Sequence, residues 1–282
     1  MSPPSPTSAT RAHYDNPSTD TFYHTIWGGS QISIGIYEPP TLSLAAASHH
    51  AVERLAARAQ PITPSTRVLD MGSGYGGAAR HLARTYGCHV TCLNLSPVQN
   101  ERNRRMNALD RLDKLVEVVE GSFEDCSVLK EGGYDVVWSQ DAFLHSADRH
   151  KILDGIDRVL VKRGGKVVFT DLMEREGADP QALEEVVKRI PVDHYATPEF
   201  YRGGMVERGF QDEGFEELTG HLERHYEKTV EDLEAYEEGL VREGRGVEID
   251  GAYSEKTKKG LRAGAKAAGS GSMVWGIFCF SR

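Results

Sequence analysis

Apolar residues recur along this chain in two rhythms, and their alternation predicts the architecture. Short aliphatic runs occur at Val68-Leu69, His89 to Leu95 (HVTCLNL), Leu115 to Glu120, Tyr134 to Trp138 (YDVVW) and Lys166 to Thr170 (KVVFT), each followed by turn-forming residues. Nearly continuous apolar runs of this length fit strands buried on both faces. The stretches between them, such as Gly77 to Tyr86 and Lys151 to Leu160, read as helices. Ser96-Pro97-Val98-Gln99 marks a strong helix start, with a capping serine, proline at the first helical position and glutamine three residues after the cap. Strand–helix alternation of this kind predicts right-handed crossovers and a parallel sheet.

Outside that core the rhythm changes. The Pro-, Ser- and Thr-rich start reads as a disordered tail over residues 1–12, and residues 13–60 as an N-terminal arm that covers the site. The arm carries the aromatic segment TDTFYHTIW and an alanine-rich helix from Thr41 to Gln60, stopped by Pro61. Residues 61–282 form the main domain, with helical insertions at about 176–212 and 225–270. Within these, helices are expected at Ala182 to Ile190, Pro198 to Arg208, Val230 to Glu243 and Glu255 to Ala268, a strand at Glu216 to Leu222, and a last buried strand at Met273 to Phe280.

Composition narrows the function. The chain has 282 residues, a net charge of -9 and no long basic run, which argues against nucleic-acid or anionic-membrane surfaces and for a small-molecule partner. No apolar run is long enough to span a bilayer, and the start has no signal-peptide pattern, so a cytoplasmic protein is expected. Cys88, Cys92, Cys126 and Cys279 form no C-x-x-C pair, so reduced thiols and no metal are expected.

The chemistry centres on Val68-Leu69-Asp70-Met71-Gly72-Ser73-Gly74-Tyr75-Gly76-Gly77. A strand that runs into a glycine turn and then a helix lets a ligand approach the backbone. Gly72, Gly74 and Gly77 match the dinucleotide fingerprint, so a nicotinamide or flavin enzyme is one reading. Asp70 points elsewhere. An acid there repels a pyrophosphate and attracts the ammonium and sulfonium of S-adenosylmethionine, which has no phosphate. At the end of the second strand, where a ribose-binding acid is expected, the chain holds Asn94, which keeps hydrogen-bonding capacity without charge.

Taken with the strand count, the segments FYHTIWGG, DMGSGYGGAARHLA, CLNLSPVQNERN, YDVVWSQDAFLHS and VWGIFCF resemble the class I S-adenosylmethionine-dependent methyltransferases, and among them the sarcosine/dimethylglycine N-methyltransferases. The phosphoethanolamine N-methyltransferases are a more distant likeness. The resemblance implies an α/β, Rossmann-like, doubly wound sheet of seven strands, the last antiparallel, with helical lid insertions. It implies donor contacts from Asp70, Gly72, Gly74, Asn94, Leu95, Gln99, Gly121, Ser122, Phe123, Gln140 and Asp141, and release of S-adenosylhomocysteine. Tyr14 and His145 match a tyrosine–histidine pair of the phosphoethanolamine enzymes.

For the acceptor, Trp27, Trp138, Phe143 and Tyr195 are candidates to surround a methylammonium group, and Arg189 or Arg202 to hold a carboxylate. Two reactions stay open, N-methylation of a glycine, sarcosine or dimethylglycine type of amino acid and O-methylation of a small acid or hydroxylated metabolite. A homodimer is left open as the oligomeric state.

Overall fold

A computed structural model describes residues 6–190, 192, 194–246 and 248–282. Seven strands form one sheet: β1 (Arg67–Met71), β2 (His89–Asn94), β3 (Val116–Glu120), β4 (Val136–Gln140), β5 (Lys166–Glu174), β6 (Gln211–Glu217) and β7 (Met273–Ser281). Their spatial order is β3-β2-β1-β4-β5-β7-β6. The first five pair in parallel, and β7 runs antiparallel between β5 and β6. The order reverses beside β1, and open sheets of this kind bind ligands at that switch point, outside the strand carboxyl ends.

Period-2 alternation explains why the apolar runs are unbroken. Val68, Val136, Trp138, Val168, Trp275 and Ile277 join one buried cluster, while Leu69, Met71, Val137, Val167, Phe169 and Phe278 join a second. Both faces are therefore covered. Helices α6 (Arg149–Val159) and α8 (Pro198–Glu207) supply Ile152, Ile156, Tyr201 and Met205 to the second cluster. The first cluster takes residues from the arm, α3 (Leu44–Arg58), α4 (Gly77–Tyr86), α7 (Pro180–Val187), α9 (Thr219–Arg242) and α10 (Gly251–Gly269). Between β2 and β3, α5 (Pro97–Leu109) starts at the expected place, with Ser96 accepting from the Gln99 amide.

Three expectations need correction. Residues Pro6–Tyr14 form helix α1, so the disordered tail does not extend to residue 12; the part of it over residues 1–5 lies outside the described residues. Helix α2 (Pro17–Phe22) follows, capped by Asn16, and leads into a wide π turn at Tyr23–Trp27. The strand expected at Glu216 to Leu222 lies earlier, because Phe215 must reach Phe278 across the β6–β7 ladder, and Thr219 already begins α9. The helix expected from Val230 is the second half of that 24-residue α9.

Aromatic packing locks the antiparallel edge. Phe278 is fully buried, with its ring centroid 4.7 Å from Phe169 and 4.5 Å from Phe215. Removing that ring leaves a cavity between two strands that cannot collapse onto it. Phe278→Ala should therefore lower unfolding stability by about 3–5 kcal/mol, read as a lower urea midpoint at constant slope.

Candidate active site

A pocket lies at the strand ends, lined by residues of β2 and β4 and of the loops after β1 and β3 below, and of α1 above. Its floor is the glycine turn. Gly72 has φ +82, and a Cβ there would sit 2.4 Å from the Ala142 Cβ, so only glycine lets the β1 and β4 loops close together. The Gly72 N–H donates to Leu93 O at 2.8 Å and the Gly74 N–H to Asn94 Oδ1 at 3.3 Å. Asn94 thus ties the turn to β2. Its amide nitrogen donates to Gln99 Oε1 and Asn100 Oδ1, both at 3.2 Å.

The wall at β4 carries a buried acid in unusual backbone. Asp141 has φ +51, and its carboxylate accepts from the Ile34 N–H at 2.7 Å, the Thr170 hydroxyl at 2.8 Å and the Trp275 indole N–H at 2.7 Å. Burial raises its pKa, against the pull of these three donors. One side chain therefore fastens the arm, β5 and β7 to the pocket floor.

Helix α1 is the roof, contributing Thr7, Thr10, Arg11 and Tyr14. The arm is held at its edges as well: Ser96 donates to Asp15 at 2.6 Å, Arg11 pairs with Glu120 at 3.1 Å, and Tyr75 donates to Asp20 at 2.6 Å, where Arg102 also pairs. Under this roof the Tyr14 hydroxyl lies 2.8 Å from His145 Nε2. Burial, with Tyr23 alongside, pushes the Tyr14 pKa well above that of a free phenol, so Tyr14 stays protonated.

Of the residues expected around the donor, Gly72, Gly74, Asn94, Leu95, Gln99, Ser122, Phe123, Gln140 and Asp141 line this pocket, together with Tyr14 and His145. Asp70 and Gly121 are not among the lining residues. Asp70 lies beneath the turn at 3% exposure, on the side of the sheet shared by Val68 and Trp138, and burial raises its pKa to about 7. Gly121 closes the β3 end, donating to Asn94 O at 3.1 Å.

The acceptor candidates separate. Arg202 is half exposed and donates to Asp212 at 2.6 Å, a surface ion pair rather than a site residue. Phe143 and Trp138 are fully buried core residues, packed in the clusters on opposite sheet faces. Trp27, Tyr195 and Arg189 are buried together beneath the arm and α9. Thr7, Thr10, Arg11, Ile32, Ser96, Glu124 and Ala142 complete the lining without having been expected. No local signal marked the α1 residues: the Asn16 cap and Pro17 announce the start of α2, not the helix before it.

Residues 69–169 match the family described as a methyltransferase domain. A glycine/sarcosine/dimethylglycine N-methyltransferase of Actinopolyspora halophila is 44% identical over 267 residues, covering 95% of this chain and 46% of that protein, so the chain spans about half of that relative. A sarcosine/dimethylglycine N-methyltransferase of Halorhodospira halochloris is 40% identical, covering 96% of this chain and 95% of that protein. The crystal structure of a candidate sarcosine dimethylglycine methyltransferase from Galdieria sulphuraria superposes with a TM-score of 0.85 at 32% identity, over 95% of this chain and 98% of that one.

The position of Asp70 has a consequence for stability. Its folded pKa, about 7, lies above the ordinary 3.8, so the folded state holds the proton more tightly than the unfolded chain does. That contribution is complete below pH 3.8 and is lost as pH rises through about 7. Asp70→Asn should therefore gain stability over the native chain as pH rises from 5 to 8, by at most about 4 kcal/mol, read from melting temperatures across that range without ligand. A difference that does not vary with pH would contradict the assignment.

Proposed function

We propose that this chain, which belongs to the sarcosine/dimethylglycine N-methyltransferase family, methylates the nitrogen of a small glycine-type amino acid at the Tyr14–His145 pair. The observation that carries the proposal is that pair, 2.8 Å apart under the roof of the pocket. The protein is an S-adenosylmethionine-dependent methyltransferase, and the pocket suits that group. Its turn has no Cβ at Gly72 to block a close approach, and its floor carries the carboxylate of Asp141. Arg11 is the one Lys or Arg among the lining residues, a poor complement for a pyrophosphate.

S-adenosylmethionine supplies a methyl group on a sulfonium, open to in-line displacement by a lone pair. In this reading Gly72, Gly74, Gln140 and Asp141 hold its methionyl end, Asn94, Leu95 and Gln99 its ribose, and Ser122 and Phe123 its adenine. Asp70 and Gly121 act from behind these residues, Asp70 from beneath the turn and Gly121 by closing the β3 loop.

The protein's own contribution is placement, dryness and one proton. At neutral pH an amine acceptor arrives mainly as ammonium and has no lone pair until it loses a proton. His145 takes that proton. In this reading Nε2–H of the neutral imidazole donates to the Tyr14 oxygen, which fixes the ring against the arm and makes Nδ1 the nitrogen that takes the proton. Helix α1, pinned through Asp15 and Arg11, keeps water away while the methyl group is exposed.

The test uses donor carrying an isotopically labelled methyl group with glycine, sarcosine and dimethylglycine, the product's mass and base stability placing the methyl on nitrogen or oxygen. His145→Ala should lower kcat/KM for an amine acceptor at pH 7 by roughly two to four orders of magnitude, and Tyr14→Phe should lower it less. A base-labile ester as product, or near-native amine turnover by His145→Ala, would overturn the proposal.

A further inference from the structure

The interior beneath the arm holds a buried cation and several hydrogen-bond donors. Arg189, one residue beyond the C-cap of α7, is 7% exposed. Its guanidinium carbon lies 5.6 Å from the Trp27 ring centre and 5.7 Å from that of Tyr226. Among the described residues no carboxylate pairs with it, although this chain forms many ion pairs at its surface. Its hydrogen-bonding neighbours are the phenols of Tyr23 and Tyr226, and a buried guanidinium among neutral groups attracts an anion.

Two neighbours add uncharged donors. The His225 ring is fully buried, 4.8 Å from that of Trp27. Its Nδ1 accepts from the Gly35 N–H at 3.1 Å, so the neutral ring carries its proton on Nε2. Burial, with Arg189 nearby, lowers the His225 pKa to about 3, which keeps the ring neutral. His225 Nε2, Trp27 Nε1 and Arg189 Nε are all buried and have no hydrogen-bond partner among the described residues. Three N–H groups in one contact cluster therefore await an acceptor, and buried donors are rarely left so.

The fold makes room for this arrangement at a cost. Gly260 and Gly264 lie one turn apart on α10, where glycine is a poor helix former. A Cβ at Gly260 would lie 2.5 Å from the Arg189 Cβ, and one at Gly264 would lie 2.5 Å from the Tyr226 ring. The two glycines form a notch in which both side chains are seated.

We propose that Arg189, flanked by Trp27 and His225 and seated by Gly260, is the subsite for the acceptor's carboxylate. A carboxylate is an acceptor-only anion and answers both the charge and the unpaired donors. Tyr23 packs against both ends, with its ring centroid 5.4 Å from Trp27 and 5.7 Å from Tyr14. The acceptor thus lies with its carboxylate toward Arg189 and its nitrogen toward Tyr14 and His145. This assignment rests on the amino-acid N-methylation proposed above and narrows it to acceptors that carry both groups.

The experiment compares dimethylglycine with its neutral analogue 2-dimethylaminoethanol. In Arg189→Met the ratio of kcat/KM for the acid over the alcohol should fall about 100-fold or more, with partial recovery in Arg189→Lys, which keeps charge but not the guanidinium fork. Gly260→Ala, which touches no substrate, should raise KM for dimethylglycine roughly ten-fold with little change in kcat; it also decides the matter if Arg189→Met melts far below the native chain. An unchanged ratio in the Arg189 variants, or unchanged KM in Gly260→Ala, overturns the subsite.

Titration of dimethylglycine into S-adenosylhomocysteine-loaded protein separates this from the wider reading. Binding that is lost in Arg189→Met supports the subsite even where the native chain transfers no methyl group. Equal binding by both proteins, or by neither, removes it.

Discussion

A carboxylate buried at a strand end has to be supplied with donors, and Asp141 draws them from three parts of the chain. The Ile34 amide, the Thr170 hydroxyl and the Trp275 indole all converge on it. An uncompensated charge here would cost several kcal/mol, so the three bonds act as a condition on the native arrangement rather than as decoration. Because one of them comes from the arm, the pocket floor cannot be satisfied without also laying the arm across it. The roof and the Tyr14–His145 pair then need only the contacts of Tyr14, Asp15 and Arg11 to settle over the same floor.

The site is polarised along its length. Acidic groups, Asp141 and the deeper Asp70, stand at the strand ends, where a sulfonium and an ammonium are to be held. In the proposed acceptor subsite Arg189 stands at the opposite end, against the Trp27 and Tyr226 rings. Between them lie the rings of Tyr14, Tyr23 and Trp27 and the imidazole of His225, which burial keeps neutral. Under that proposal a zwitterionic acceptor between acid and arginine has one favourable orientation, which turns its nitrogen toward the methyl group.

Much of this was legible in the sequence because parallel strands buried on both faces leave unbroken apolar runs. The glycine turn, the strand ends and the Tyr14–His145 match came from the same reading. What stayed hidden was held by long-range contact. Helix α1 has little apolar pattern of its own and exists through Tyr14, Asp15 and Arg11 reaching the pocket rim. Strand β6 (QDEGFEE) is polar because it lies at the sheet edge, where one phenylalanine and the β7 ladder hold it. Arg189 and Arg202 look equivalent by spacing, but one is buried on Trp27 and the other is tied to Asp212 at the surface. Asp70 illustrates the reverse, an informative acid whose side chain is buried beneath the turn instead of lining the pocket.

The central claim is that this pocket takes a phosphate-free, cationic methyl donor beneath a closing arm. Isothermal titration of the purified chain with S-adenosylmethionine, S-adenosylhomocysteine and NAD addresses it most directly. The account predicts one equivalent of S-adenosylmethionine or S-adenosylhomocysteine bound per chain, and no heat with NAD. Stoichiometric binding of NAD with neither of the other two would contradict it.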